Sequence, residues 1–482
     1  MKGSKSLISA LKYVFLGNMG QVLISLLATP IIVRLVTPSE FGLYSTTLVV
    51  INTLFIIINF GQADAIRRFT PKYINSNDKE KYIATSSYIS NLSIVLLFIT
   101  CTIYFLYTKD LLLTLIIFIY LLLYISISNN SSFLFGMHMQ KKSETVRVLM
   151  LFLQYSFAVF FALIFSNASG LLIGFVFGLI IPFIVLWINI KNVKESIGLN
   201  QSAKGFHKDI LKELLFFGRF IVIGTLFAQL LYNADILLIK YFSNYEAVAI
   251  YKAAIIVSQL LWMVPKAFQS ALIPNIAELW EENKHQDIFD ITLRSVKFIF
   301  LFMLLCSIGL YVLIDDFVLL YFGKDYIEAI NPLKILLIGT VCYGLTRAFD
   351  PLIQVSGKLN QILYCSGAAV LINLVLNLLF IPKFGIEGAA IGTSISYIFI
   401  FIFKYILVQK MGLYFKIRFG TILKYLLLII IFIFLLSIFQ ELIENVLMKI
   451  ILTAIFGLLS FIVLLLSLKL VSKKELKLMF KY

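Results

Sequence analysis

Apolar runs of roughly twenty residues recur along the whole chain, separated by short polar segments. Runs such as 426–437 are apolar on every face, whereas a membrane β-barrel would alternate polar and apolar residues over about ten positions. The pattern therefore predicts an all-α polytopic membrane protein with about 14 transmembrane helices. The predicted spans are 9–33, 41–60, 82–107, 111–136, 145–165, 170–190, 214–241, 247–274, 295–314, 329–355, 362–381, 388–408, 422–439 and 446–471.

Positive charge is distributed unevenly between the two sets of connecting loops. With the spans threaded alternately across a bilayer, about thirty of the 41 Lys and Arg residues fall in or beside one set of loops, and about six in the other. The richer set includes Arg67, Arg147 and Lys404. Because cytoplasmic loops carry an excess of Lys and Arg, we expect both termini to be cytoplasmic. The same rule accounts for the net charge of +16, so no nucleic-acid partner is expected.

Other classes of site have little support in the sequence. The first apolar run is too long for the apolar core of a cleavable signal peptide, so we expect it to remain as a span. The four cysteines lie in predicted spans without CxxC spacing, and the three histidines fall in separate polar loops. We therefore predict no metal centre and no cofactor.

A weak internal repeat divides the chain. FGMHMQ, which ends the fourth span, matches SGKLNQ at the end of the tenth, and SGLLIG matches EGAAIG at the start of the sixth and twelfth. The offset predicts two six-helix lobes related by a pseudo-two-fold axis, with a substrate cavity between them. The predicted organisation is a first lobe at 1–190, a cytoplasmic linker at 191–213, a second lobe at 214–410, and two additional helices with a basic tail at 411–482.

Five cations remain within the predicted spans after those in or beside the loops are assigned: Arg219, Lys252, Lys266, Lys334 and Arg347. A charge at mid-membrane costs about 3 kcal/mol or more, so each needs a cavity, a partner or a route to the interface. Lys334 lies near a span end and can extend to the interface. Lys252 and Lys266 share a helix face about 21 Å apart. We predict that Arg219, Lys252, Lys266 and Arg347 line a cationic cavity that binds an anionic substrate group.

Pairing with carboxylates is the alternative for these cations. Asp235 is the favoured partner of Lys252, and Asp350 lies three residues after Arg347, a spacing that suits an intrahelical pair. Glu387 is predicted in the first turn of the twelfth span. These three carboxylates are also the candidates for binding a coupling ion, and the sequence leaves both roles open.

Three stretches resemble signatures of a known family: TPSEFGLYSTTL at 37–48, NADILLIKYFSNYEAVAIYKAA at 233–254, and IPKFGIEGAAIGTSISY at 381–397. They are similar to the polysaccharide-transporter branch of the multidrug/oligosaccharidyl-lipid/polysaccharide exporter superfamily, and to its Wzx-type O-antigen or repeat-unit flippases above all. The resemblance implies a V-shaped pair of lobes that moves an undecaprenyl-diphosphate-linked oligosaccharide to the outer leaflet by alternating access. Asp235 matches the family's seventh-span Asp.

The favoured function is therefore an ion-coupled flippase rather than an enzyme. Its expected partners are the lipid-linked oligosaccharide, membrane lipids, and a polymerase or other polysaccharide-assembly proteins. One alternative is a multidrug or cation exporter of the same fold, which would be expected to carry acidic rather than basic residues in its central spans. Another is a membrane polymerase or glycosyltransferase, which would need a large outer loop with catalytic residues. The loop around Asp315 and Asp316 is short for that purpose.

Overall fold

The computed structural model describes residues 2–196, 207–414 and 419–472, and within these ranges it contains helices and no strands. The helices are α1 (Lys2–Leu35), α2 (Pro38–Asn59), α3 (Gln62–Ile74), α4 (Lys79–Thr108), α5 (Leu111–Gly136), α6 (Gln140–Phe165), α7 (Ala168–Ser196), α8 (Lys208–Phe242), α9 (Tyr245–Leu260), α10 (Met263–Glu281), α11 (His285–Val312), α12 (Ile314–Tyr321), a 3-10 helix (Lys324–Ala329), α13 (Ile330–Val355), α14 (Leu359–Gln409), α15 (Phe419–Glu441) and α16 (Val446–Ser467).

Twelve described helices are long and apolar enough to cross a membrane, or thirteen when α9 and α10, bent by 43° at their junction, count as one span. One of the twelve, α14, is broken at Gly385, so its two segments correspond to the two spans predicted there. The prediction of an all-α polytopic membrane protein is confirmed. Two short helices, α3 and α12, occupy stretches that the hydropathy pattern predicts as loops or span ends.

The chain divides into two compact units, Met1–Asn233 and Ala234–Tyr482. The predicted linker at 191–213 is helical at both ends, where α7 continues to Ser196 and α8 begins at Lys208. Its centre, 197–206, lies outside the described residues, as do 415–418 and the basic tail from residue 473 onwards. The division into two six-helix lobes and two additional helices stays a prediction.

The turn motif TPSEFG joins two helix starts in the first unit. Thr37 is the N-cap of α2, and its hydroxyl accepts a hydrogen bond from the Glu40 N–H at 3.4 Å. The Glu40 carboxylate in turn accepts a hydrogen bond from the Ala168 N–H at 2.6 Å, at the start of α7. A carboxylate at this position also offsets the positive end of the helix dipole. The motif thus fixes how α2 and α7 begin.

Glycines set the closest helix packing in the first unit. Gly174 and Gly178 are four residues apart on α7 and face α6. A Cβ atom at Gly174 would lie 2.5 Å from Ala158 Cα, and one at Gly178 would lie 2.5 Å from Gln154 N. Small residues at this spacing let membrane helices approach until their backbones touch.

Gly178→Leu is expected to destabilise the first unit by about 2–3 kcal/mol, because the new side chain forces α6 and α7 apart. Thermal unfolding of the purified protein in detergent measures the loss. The matched control is Gly309→Leu in α11, where an added Cβ atom would have no neighbouring atom within 4 Å. Equal melting temperatures for the two variants would contradict this account of the α6–α7 contact.

A tight reversal shapes the second unit. Gly385 has φ +57° and ψ −134°, a conformation that residues with a side chain rarely adopt. After it the chain folds back, so that a Cβ at Gly388 would lie 3.0 Å from Ile381 N, and one at Gly392 would lie 2.5 Å from the Asn377 side-chain oxygen. The two segments of α14, 359–384 and 386–409, therefore pack directly against each other. This packing brings polar side chains from both segments together.

Candidate functional site

The Asp235 carboxylate is the centre of a buried polar network in the second unit. Asp235 lies in α8 and is 1% exposed. The Tyr251 hydroxyl donates a hydrogen bond to Oδ2 at 2.6 Å, and the Thr393 hydroxyl donates to the same oxygen at 3.1 Å. The Ile236 N–H donates to Oδ1 at 3.0 Å. Hydrogen bonds to a buried carboxylate offset much of its desolvation cost, so the network holds this group in place.

Two asparagines on the first segment of α14 extend this network. The Asn373 amide donates to the Thr393 hydroxyl at 3.2 Å, and the Asn377 amide donates to Asn373 Oδ1 at 3.1 Å. The Asn377 Oδ1 atom is buried and, among the described residues, has no hydrogen-bond partner. A carboxylate, a hydroxyl and amide oxygens make up a donor set that suits a hard cation. They could hold a sodium ion, and the carboxylate could equally take up a proton.

Lys252 lies next to this network. Asp235 acts electrostatically on its ammonium group. No ion pair within 4 Å links the two in the part of the chain that the structure describes. The sequence singled out Asp235 but missed Tyr251, Thr393 and the two asparagines. The signal that could have found the asparagines is their i, i+4 spacing on one face of an apolar span.

A second charged group joins α10, α13 and α14. Arg347 Nη1 donates a hydrogen bond to Gln269 Oε1 at 3.2 Å, and Gln269 Nε2 donates to Asp350 Oδ2 at 3.2 Å. Lys404 Nζ forms an ion pair with Asp350 Oδ1 at 2.5 Å, and both side chains are 7% exposed. The sequence counts Lys404 in or beside a loop, but the structure buries its side chain. Lys404 lies in the last turns of α14 and points into the protein.

Lys266 adds another cation to this group. Its ammonium lies 5.9 Å from the centre of the Trp262 ring, and the charge of Arg347 acts on it. The group therefore combines three cations with the Asp350 carboxylate, which pairs with Lys404. Its net charge is positive, and Lys266 and Arg347 carry the excess. Two of the four predicted cavity cations are thus brought together.

The other predicted residues make contacts of their own. Arg219 belongs to the first unit, where its guanidinium lies 3.9 Å from the ring centre of Phe216. Lys334, not predicted as a site residue, lies 5.6 Å from the Tyr311 ring centre. Glu387 lies two residues after the break in α14 and accepts a hydrogen bond from the Asn331 amide at 3.0 Å. The structure does not place it with Asp235 or with Asp350.

Sequence and structure comparisons identify the relatives of this chain. The family described as "Polysaccharide biosynthesis protein" matches residues 10–280, and the family described as "MatE" matches residues 220–379. The capsular polysaccharide biosynthesis protein CapF of Staphylococcus aureus is 25% identical over 406 residues, which cover 81% of this chain and 96% of CapF. The uncharacterised membrane protein MJ1068 of Methanocaldococcus jannaschii is 24% identical over 427 residues, which cover 80% of this chain and 82% of that protein.

Among solved structures, the lipid II flippase MurJ in an inward closed conformation superposes with a TM-score of 0.71 at 13% sequence identity. The match covers 94% of this chain and 98% of that protein. At this level of identity the likeness concerns the fold, and it extends over nearly the whole length of both chains.

Proposed function

Because the chain belongs to the polysaccharide biosynthesis protein family, we propose that it is a flippase for undecaprenyl-diphosphate-linked oligosaccharides. It moves an O-antigen or capsule-type repeat unit from the cytoplasmic to the outer leaflet of a bacterial plasma membrane by alternating access through a cationic cavity. Both termini are cytoplasmic in this proposal, and a polymerase or other assembly protein takes over the glycan. The similarity to CapF supports a glycan substrate, and the fold shared with MurJ supports a lipid-linked one.

The observation that carries the proposal is the excess positive charge on Lys266 and Arg347. Asp350 forms a close ion pair with Lys404, so the group as a whole keeps a net positive charge that can attract a diphosphate. Charge-assisted hydrogen bonds from Lys and Arg are strong ligands for phosphate oxygens. A multidrug exporter of the same fold, which the MatE match keeps as a second candidate, would need acidic groups at this place to bind cationic drugs.

Lys266→Ala is expected to lower glycan transport at least tenfold, since it removes a charge-assisted contact worth about 1.5–3 kcal/mol. Arg219→Ala is expected to lower it as well. Flipping of a lipid-linked oligosaccharide in proteoliposomes and surface glycan in a complemented deletion strain are the two readouts. Lys334→Ala is the control, because the Lys334 ammonium group can reach the interface and is not predicted to bind substrate. This variant should transport glycan normally. Wild-type transport by both the Lys266 and Arg219 variants, at normal protein levels, would reject the cavity assignment.

Ion coupling completes the proposed mechanism. Transport against a gradient requires that a coupling ion bind one conformation better than another. Asp235 is the proposed ion-binding residue, because its carboxylate lies beside hydroxyl and amide oxygens in a site sealed from solvent. Asp350 is less suited to this role, since Lys404 already neutralises it. Glu387 forms its hydrogen bond at an exposed position.

A further inference from the structure

The first unit contains a cavity of about 170 Å³ among α3, α5 and α6. Its wall carries the guanidinium groups of Arg67 and Arg147 and the carboxylate of Glu144. Hydroxyl groups line the rest of its polar surface, from Tyr124, Ser128, Ser131, Ser132 and Ser143. When the predicted spans are placed alternately across the bilayer, both arginines are counted in or beside cytoplasmic loops. The sequence predicts no role for Glu144.

Glu144 acts as a resident anion for Arg147. The two side chains form an ion pair, and the Glu144 side chain is 9% exposed. Arg147 Nη2 also donates a hydrogen bond to Asn18 Oδ1 in α1 at 2.8 Å. The Arg147 Nε atom is buried and, within the described ranges, has no hydrogen-bond partner. Arg147 therefore has an unused donor as well as a carboxylate that another anion could replace.

Aromatic contacts hold the second guanidinium in place. The Arg67 guanidinium lies 3.4 Å from the centre of the Phe135 ring, and such stacking fixes the plane of the group while its N–H edge stays open to an anion. Asp64 acts electrostatically on Arg67 but does not line the cavity. The neighbouring Arg68 lies over Phe217, at 4.5 Å, and is not part of the cavity wall either.

We infer that this cavity binds the glycosyl phosphate of the substrate, meaning one sugar and the phosphate attached to it, with the phosphate displacing Glu144 from Arg147. The inference rests on the proposed flippase function. At about 170 Å³ the cavity is smaller than the roughly 300 Å³ at the lower end of pockets for drug-sized ligands, so it accommodates one sugar rather than a whole repeat unit. Arginine pairs bind phosphate through parallel hydrogen bonds. The serine hydroxyls and the released carboxylate suit the hydroxyls of the sugar.

The Tyr124 ring lines the cavity next to these groups. The Tyr124 ring lies 4.8 Å from the Phe55 ring centre and stacks with Tyr120 at 5.6 Å. Tyr120 in turn accepts a hydrogen bond from the Gln154 amide at 3.3 Å. These contacts hold the Tyr124 ring in the cavity wall, where the ring and the neighbouring serine hydroxyls suit the C–H face and the hydroxyl edge of a sugar.

Binding of glucose 1-phosphate to the purified full-length protein in detergent, measured by isothermal titration calorimetry, tests the inference. Arg147→Gln is expected to weaken binding at least tenfold. Glu144→Gln is expected to strengthen it several-fold, because the competing carboxylate is gone. A purely structural ion pair would make both variants worse or leave both unchanged. Arg68→Gln is the matched control and should bind like the wild type.

The double variant Glu144→Gln/Arg147→Gln is the control for folding, because it leaves neither charge buried alone. It should melt close to the wild type and still fail to bind the probe. Glycerol 1-phosphate distinguishes the source of the phosphate: equal binding of both probes would assign the cavity to a phospholipid headgroup and overturn the inference, as would wild-type binding by the double variant.

These outcomes are separable from those of the flippase proposal. Probe binding that is unchanged in every cavity variant, together with glycan export that depends on Lys266, would overturn the inference and leave the proposed function standing. Probe binding that depends on Arg147, in a protein that moves no glycan, would overturn the proposed function and leave a glycosyl phosphate site in the cavity.

Discussion

Replacing Lys404 by Met is expected to destabilise the protein by about 3–5 kcal/mol, because the substitution leaves the Asp350 carboxylate buried without its counterion. The ion pair is close and nearly inaccessible on both sides. Gln269 would remain as a partner of Asp350, but one neutral hydrogen bond does not replace a full positive charge. Thermal unfolding in detergent measures the effect. Lys410→Met, at the exposed end of the same helix, is the control and should melt like the wild type.

The double variant Asp350→Asn/Lys404→Met separates the charge from the packing. It removes both charges at once, and replacing a whole buried ion pair by uncharged groups is often close to neutral. We therefore expect it to regain most of the lost stability. A double variant less stable than Lys404→Met alone would contradict the view that the unpaired carboxylate causes the loss. The substitution Asp350→Asn keeps an oxygen that can accept the hydrogen bond from Gln269, so the link from Gln269 to Arg347 can remain.

Asp235→Asn is expected to lower ion-driven transport about a hundredfold, a loss of about 2.7 kcal/mol in transition-state stabilisation. The amide retains an oxygen for Tyr251 and Thr393 but has no charge to bind a cation or a proton. Proteoliposomes with an imposed sodium or proton gradient provide the measurement. Asp287→Asn, at an exposed position in the first turn of α11, is the matched control. Gradient-dependent transport by the Asp235 variant at the control rate would exclude Asp235 as the coupling residue.

Thr393→Val distinguishes the coupling ions in the same experiment. It removes one oxygen from the site and leaves the Asp235 charge intact. If sodium is bound there, the sodium concentration for half-maximal transport should rise, whereas a proton on the carboxylate needs no such ligand. An unchanged sodium dependence, combined with loss of transport in Asp235→Asn, would favour proton coupling.

Most of the fold could be predicted from the sequence, because a bilayer requires long apolar helices whatever their neighbours are. The short helices were missed for the same reason. α3 carries Asp64, Arg67, Arg68 and Lys72 in thirteen residues and looks like a loop when only long apolar runs are counted. Its start depends on local backbone geometry, since Phe60 and Gly61 both have positive φ.

The sites were predicted only where a residue violated the hydropathy pattern. Asp235 and Arg347 were conspicuous because they interrupt apolar runs. Lys404 and Arg147 were not, because they lie near the ends of such runs, where threading counts a basic residue as part of the loop. Whether a side chain in the last helical turns points inward depends on its packing partners, which the hydropathy of one segment does not specify. Thr393 meets Asn373 only through the folding back of α14.

The reversal at Gly385 also bears on how the chain is assembled into a membrane. The two segments of α14 are joined by a few residues around Gly385, and their backbones touch from Gly388 onwards. We therefore expect them to partition from the insertion machinery into lipid as a single hairpin, since neither can be left in water while the other spans. The Asn373 amide would then meet the Thr393 hydroxyl during biogenesis itself, before later helices arrive.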